Sequence, residues 1–169
     1  CAFTRATKHT IVGERDMVRL RHTFTHETVH AFQHRLSDRR QTSHFFAEGS
    51  AEYIAYLVAP NVSAQLQARV VAAASWERHR IRTDDLLDGD RMRARYDTTL
   101  AYSLGERWTA ALVRACGERA VGDVLAAMGR SDAPQGLSSR AFWEDTLRAA
   151  GCDGESGDGA FASLRGEET

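Results

Sequence analysis

The stretch from His26 to His30 carries the side chains best suited to chemistry, because it reads H-E-x-x-H. Histidines four residues apart on a helix project from the same face, so His26 and His30 could bind one metal ion together. Glu27 lies about 100° around the helix from His26 and could serve as a base beside that metal. Zinc held in this way polarises a water molecule whose proton a nearby glutamate accepts. The pentapeptide therefore predicts a hydrolytic metal site on a helix.

A zinc ion held only by His26 and His30 lacks a protein ligand, because catalytic zinc sites usually have three and keep one position for water. A third histidine six residues after His30 is excluded, since that position is Leu36. Glu48 follows His30 with seventeen residues between them. A hairpin of two helices could return its carboxylate to the metal, and Gly49 would let the helices approach closely.

A second motif starts at Glu48, where the sequence reads E-G-S-A-E-Y. The two motifs together resemble the gluzincin zinc metallopeptidases, and most of all the short families with an E-G-x-A-E-Y element that are related to the aminopeptidase N and thermolysin groups. The resemblance implies that His26, His30 and Glu48 bind Zn²⁺. It also implies that Glu27 is the general base. Glu52, one turn after Glu48, would hydrogen-bond a ligand histidine and fix its tautomer.

The resemblance covers about residues 8–130 and extends to a tyrosine and a glycine at the two ends of a later predicted helix. Tyr102 lies near the start of this amphipathic run, and Gly117 lies at its end. The resemblance implies that the Tyr102 hydroxyl stabilises the oxyanion of the tetrahedral intermediate, with Tyr96 as the competing candidate. The alternative interpretation is an exposed amphipathic helix with histidines at the surface. Under that interpretation the two motifs and the tyrosine–glycine pair would occur together by chance.

The chain is predicted to be mainly α-helical, a gluzincin-like catalytic domain with at most a small residual β-sheet at the N-terminus. A short β-type run at 10–12 is the candidate for that sheet. The predicted helices cover about 14–36, 96–116 and 118–128. Between the first two of these, one helix is capped by Thr42 or Ser43 and stops at Pro60, and the next is capped by Asn61 and runs to about position 80. A further helix is capped by Ser138 or Ser139. The segment 83–90 is acidic and turn-like. We expect one domain over 1–169, with the zinc-binding helix pair at 14–60 and a helical part at 92–169.

The helix at 14–36 carries two apolar flanks, which predict that it is buried on two sides. One flank consists of Val18, Val29, Phe32 and Leu36, and the other of Met17, Leu20, Phe24 and Ala31. Two further histidines on this helix, His22 and His34, are expected to be polar neighbours of the site or residues of the substrate cleft. We expect His44 and His79 at the surface, and the three tryptophans in the core.

Composition restricts the partners of the chain. Apolar residues make up 43% and charged residues 27% of the 169, as in ordinary globular proteins. The net charge of −1 has interspersed signs, which argues against nucleic acid, and no apolar run approaches the roughly 20 residues of a membrane span. Three widely spaced cysteines (Cys1, Cys116 and Cys152) form no C-x-x-C zinc motif but allow one disulfide. No signal peptide is visible, and a chain that begins at Cys1 is expected to be processed or trimmed.

Three functions remain open from the sequence. The first is a zinc metallopeptidase, although no G-x-M-E-N-like element is present to bind a substrate α-amino group. The second is a non-proteolytic zinc enzyme that acts on a small metabolite, which the near absence of an N-terminal sheet favours. The third is a non-enzymatic helical binding domain, which the presence of Glu27 disfavours. The substrate is accordingly expected to be a peptide or a small molecule, with oligomeric state and compartment undetermined.

Overall fold

The computed structural model describes residues 13–38, 43–82, 85, 89–96, 99–130 and 140–152. Its helices are α1 (Glu14–Leu36), α2 (His44–Val58), α3 (Val62–His79), α4 (Gly89–Arg95), α5 (Thr99–Cys116), α6 (Ala120–Arg130) and α7 (Arg140–Ala149). The described part of the chain contains no strand, which confirms the mainly α-helical prediction. The β-type run at 10–12 and the cap at Ser138 or Ser139 lie outside the described residues.

Side-chain caps determine where the helices of the first half begin. The Ser43 hydroxyl accepts a hydrogen bond from the Phe46 N–H at 3.2 Å, which satisfies one of the free donors at the start of α2. Helix α2 ends before Pro60, and the Asn61 amide oxygen accepts from the Ala64 N–H at 3.1 Å to start α3. These boundaries confirm the sequence prediction. In the second half α5 begins at Thr99 rather than at position 96, and α4 occupies part of the predicted turn region.

The centre of the fold is the contact between α2 and α5, which is the most extensive helix pair. Gly49 of α2 and Gly105 of α5 face each other at the crossing. A methyl group on Gly49 would collide with the Gly105 backbone, and one on Gly105 would collide with the Phe45 carbonyl oxygen. Only glycine at both positions permits this approach. Its consequence is that the start of α5 lies directly beside the middle of α2.

Aromatic side chains fill the core around this crossing. Phe45, Phe46, Trp108 and Trp143 are fully buried. The Trp108 and Trp143 rings meet edge to face with centroids 5.5 Å apart, a favourable arrangement for aromatic pairs. The prediction of a core position is therefore confirmed for both tryptophans. Trp76 is only half-buried and packs against the edge of this core.

Helix α1 rests on α2 and on α6. The prediction that both of its apolar flanks are buried is wrong. Val29 is buried, but five of the other large residues on those flanks are exposed, namely Met17, Leu20, Phe24, Phe32 and Leu36. The side of α1 that contacts α2 instead carries His26 and Gln33, both buried. Polar contacts with α2, described below, determine which face of α1 points inward.

A disulfide joins Cys116 at the end of α5 to Cys152 after α7. The sequence allowed one disulfide without identifying the pair. Cys1 lies outside the described residues. None of the described helices combines the length and the apolar composition needed to cross a lipid bilayer.

Candidate metal centre

Three candidate ligand atoms converge where α1 crosses α2. His26 Nε2 lies 3.0 Å from His30 Nε2 and 3.1 Å from Glu48 Oε2. His30 Nε2 lies 3.4 Å from the same Glu48 oxygen. Two ligands bound to zinc at about 2.05 Å in tetrahedral geometry are about 3.3 Å apart. The triangle formed by the three atoms therefore has nearly the size of one face of a zinc tetrahedron.

The charges around this triangle favour a cation. Burial alone would lower the pKa of His26, but hydrogen bonds to the Glu48 and Glu52 carboxylates outweigh it and raise that pKa to about 9. Burial would raise the pKa of Glu48, yet the hydrogen bond from His26 and the charge of His30 lower it. The two carboxylates thus hold a positive charge between the imidazoles. A divalent metal ion would satisfy the same field, and two histidines with one carboxylate are a donor set that suits zinc.

Glu52 lies behind His26, on the side away from Glu48. Its Oε2 atom accepts a hydrogen bond from His26 Nδ1 at 3.1 Å. With Nδ1 protonated in this way, Nε2 is the ring nitrogen that can bind a metal. The contact is the one expected for Glu52, and its effect on a bound metal remains a prediction.

Gln33 accepts a hydrogen bond from the His30 ring, as Glu52 does from the His26 ring. The sequence did not lead us to expect this role for Gln33. His30 Nδ1 donates to Gln33 Oε1 at 2.8 Å. The Gln33 amide nitrogen donates to the Ala47 carbonyl at 2.8 Å and to the Ser50 hydroxyl at 2.9 Å, so its oxygen must face His30. This network leaves His30 Nε2 free to face Glu48. A glutamine three residues after His30, on the same helix face, was the available signal.

Tyr102 lies at the site because the glycine crossing brings α5 onto α2. Its ring stacks on the His26 ring with centroids 5.6 Å apart. Burial, together with the Glu48 charge and a hydrogen bond to that carboxylate, raises the pKa of Tyr102 to about 12. Tyr96, the competing candidate, instead donates its hydroxyl proton to Asp85 at 3.1 Å. Of the two tyrosines, Tyr102 is the one that contacts the candidate ligands.

Glu27 is exposed on the turn of α1 that separates the two histidines. After burial and the contacts with Glu48, the charge of Glu27 also contributes to the raised pKa of Tyr102. Glu27 and Tyr102 are therefore within electrostatic reach of each other. An exposed carboxylate in this place is accessible to a water molecule or a substrate.

Two histidines outside the pentapeptide also reach the carboxylates of α2. His44, which was expected at the surface, is only half-buried, and its Nδ1 lies 3.6 Å from Glu48 Oε1. It precedes Glu48 by one helical turn, a spacing that could have revealed it. His22 Nε2 lies 3.2 Å from Glu52 Oε2, as expected for a polar neighbour. His34 and His79 are exposed.

A cavity of about 520 Å³ opens beside the centre, between α2, α3 and α5. Glu52 and Tyr102, which both contact His26, form the wall nearest to the site. The buried Glu106 forms part of another wall and accepts hydrogen bonds from Gln65 and Arg69, both at 2.7 Å. Its charge is therefore balanced within the protein.

A larger apolar groove of about 710 Å³ runs between α1 and α6. Its lining includes Phe24, Phe32 and Leu36, which are exposed, together with Leu125 of α6. None of the candidate ligand residues contributes to this groove. Gln33, the hydrogen-bond partner of His30, does line this groove, so the groove borders the candidate metal centre without including its ligands.

Searches against protein-family models, curated proteins and solved structures find no significant match to this chain. The similarity to gluzincins consequently rests on the two motifs. A conclusion about function therefore has to be argued from the geometry of the side chains.

Proposed function

We propose that the protein is a zinc-dependent metallohydrolase of the gluzincin type, with peptide bonds as its substrate. The observation that carries this proposal is the triangle of His26 Nε2, His30 Nε2 and Glu48 Oε2, with edges of 3.0, 3.1 and 3.4 Å. These side chains come from two helices, so their convergence is not a consequence of helix geometry alone. A partner on the outer nitrogen of each imidazole supports the same conclusion, because ligand histidines are usually oriented in this way.

Each residue of the centre has a defined part in the proposed reaction. Zinc, when bound, supplies Lewis acidity that polarises a carbonyl group and lowers the pKa of water. The exposed Glu27 carboxylate accepts the proton of the attacking water and passes it to the leaving amine. The Tyr102 hydroxyl donates a hydrogen bond to the oxyanion. A pKa of about 12 keeps this hydroxyl protonated at neutral pH, as a donor must be.

A small molecule is the second candidate substrate, and two observations favour it. The cavity of about 520 Å³ between α2, α3 and α5 falls within the usual range for small-molecule sites, about 300–1,000 Å³. No strand among the described residues is available to pair with an extended peptide. The same His26, His30, Glu48 and Glu27 side chains would act on a small amide or ester. A non-enzymatic binding domain would have no use for the exposed Glu27.

The test combines a metal measurement with an activity measurement. We expect the purified chain to contain zinc in stoichiometric amount and Glu27→Gln to retain it, because Glu27 is not a ligand. We expect Glu27→Gln to lower kcat/KM by about 100-fold or more, the usual contribution of a general base. Glu77→Gln, a matched change of an exposed acid on α3, should leave both quantities unchanged.

A peptide library and a panel of small amides and esters, assayed side by side, separate the two substrate classes. Turnover confined to the small compounds would replace the peptidase proposal with the second candidate. Full activity of Glu27→Gln would remove the general-base assignment. A chain that binds no zinc would overturn the proposal as a whole.

A further inference from the structure

We propose that His22 is a positioning residue of the metal centre, which acts through Glu52 on the ligand His26. This inference rests on the proposed zinc site. His22, Glu52 and His26 form a chain in which one carboxylate oxygen links the two imidazoles. Glu52 Oε2 lies 3.2 Å from His22 Nε2 and 3.1 Å from His26 Nδ1.

The contacts of Glu52 show why a second donor is useful. When His26 Nε2 faces a metal, the single remaining proton of the ring is on Nδ1, and Glu52 must accept it. A glutamate side chain with that one contact could rotate away from His26. The His22 Nε2–H and the Tyr56 hydroxyl, which also hydrogen-bonds Glu52, hold the carboxylate on the far side. Glu52 is thereby oriented before a metal arrives.

The surroundings of His22 indicate that its imidazole is retained for this contact. The ring packs on the Tyr56 ring with centroids 4.6 Å apart, a contact that does not itself require a polar side chain. Its Nδ1 atom is buried and has no hydrogen-bond partner among the described residues. A buried polar atom without a partner is unfavourable, so packing alone does not account for a histidine here. The contact between His22 Nε2 and Glu52 accounts for the histidine at this position.

The contact with Glu52 also predicts the tautomer of the neutral His22 ring. Because Nε2 faces a carboxylate oxygen, it must carry the proton, and the buried Nδ1 is then bare. The proposal therefore makes a spectroscopic prediction that does not depend on enzyme activity. The ¹⁵N NMR spectrum of the zinc-loaded chain should show His22 as the Nε2–H tautomer. An Nδ1–H tautomer would overturn the proposal.

The main test is the zinc affinity of His22 variants of the full chain, measured by competition with a chromophoric chelator. Loss of a direct partner of a ligand histidine usually costs about 10- to 100-fold in metal affinity. His22 acts one residue further away, so His22→Leu should weaken zinc binding by about three- to tenfold. His22→Gln, whose amide nitrogen can replace Nε2 as the donor, should recover most of that loss. The matched control is His34→Leu, an exposed histidine on the same helix, which should bind zinc like the unaltered chain.

A double-mutant cycle separates a positioning role from a merely structural one. In a Glu52→Gln background, His22→Leu should change zinc affinity by less than about twofold, because the carboxylate through which His22 acts on His26 has been removed. An undiminished effect in that background would overturn the proposal, as would a His22→Leu variant with unaltered affinity. Zinc binding without cleavage of any peptide would contradict only the proposed peptidase activity. Absence of zinc binding in the unaltered chain would contradict both.

Discussion

The two sides of helix α1 reverse the usual relation between polarity and burial. The side facing α2 carries His26 and Gln33, which are among the least exposed residues of the helix, with His26 only 7% exposed. The opposite side carries Phe24 and Phe32, which are 72% and 60% exposed. An ordinary surface helix places its apolar stripe inward.

The difference shows what orients α1. Polar groups on its inner side meet specific partners on α2: the two candidate ligand histidines contact Glu48, and the Gln33 amide reaches the Ala47 carbonyl and the Ser50 hydroxyl. Hydrogen bonds of this kind have defined lengths and angles, whereas apolar contacts do not. The polar network therefore selects the inward face, although the apolar flank is larger.

The largest expected effect comes from disrupting the crossing of α2 and α5, because the polar side of α1 packs on α2. Gly105→Ala would place a methyl group against the Phe45 carbonyl oxygen, and two helix backbones cannot separate without loss of core packing. We expect it to lower the free energy of unfolding by about 3 kcal/mol or more and to weaken zinc binding as Tyr102 and Glu48 move apart. Urea unfolding and zinc titration measure both effects.

Gly122→Ala on α6 is the matched control, because nothing lies near its added methyl group. It should be neutral or stabilising by up to about 1 kcal/mol, the usual gain for alanine in a helix. Equal stability of the Gly105 and Gly122 variants would contradict the close crossing of α2 and α5.

The charged groups of the polar side should make the stability of the zinc-free chain depend on pH. The pKa of His26 is raised from 6.5 to about 9, so its contribution is complete below about pH 6.5 and is lost as the pH rises through about 9. The pKa values of Glu48 and Glu52 are lowered, so their contributions are lost as the pH falls below their ordinary value of 4.5.

Unfolding of the zinc-free chain should therefore become easier by about 2 kcal/mol between pH 6.5 and 9. Zinc affinity should rise over the same interval, because the metal replaces the proton on His26. His26→Gln should flatten the stability profile, whereas His34→Gln, on the exposed part of α1, should not. A profile that is unchanged in His26→Gln would show that His26 does not carry this charge.

A smaller effect is expected from Gln33→Leu, which keeps the volume of the side chain but removes the partner of His30 Nδ1. Zinc affinity should fall by about tenfold, at the lower end of the range for residues that orient a ligand histidine. Gln67→Leu on α3, an exposed glutamine away from the candidate ligands, is the control. Unaltered affinity of Gln33→Leu would mean that the His30 tautomer does not need this amide.

The smallest effect should come from the apolar side. Phe24→Ala removes a large side chain that is 72% exposed, so the free energy of unfolding should change by less than about 0.5 kcal/mol. Val29→Ala removes fewer atoms from the same helix, but Val29 is only 7% exposed and the loss should be roughly 1 to 2 kcal/mol. If Phe24→Ala were the more destabilising change, the apolar side of α1 would be covered in solution.

The local features were the predictable ones. The bounds of α1, the Ser43 cap of α2 and the Asn61 cap of α3 follow from turn residues, prolines and helical periodicity, which act within a few positions of the chain. The pairing of H-E-x-x-H with Glu48 was also accessible from the spacing of the two motifs. The role expected for Gly49 was wrong, because this glycine permits the close approach of α5 to α2 and does not face α1. His44 was missed although its spacing of one helical turn from Glu48 was visible in the sequence. For Gln33 the spacing from His30 was visible too, but the contacts with Ala47 and Ser50 of another helix, which orient its amide, were not.

The amino-acid sequence by itself determined which side chains are available for a metal and which segments become helices, since both depend on residue type and short-range spacing. Only the tertiary structure decided that α1 turns its histidines rather than its phenylalanines inward, and that Tyr102 rather than Tyr96 reaches the centre. The physical reason is that both outcomes depend on how closely helices cross. The glycine contact between α2 and α5 and the hydrogen bonds between α1 and α2 determine that distance and orientation.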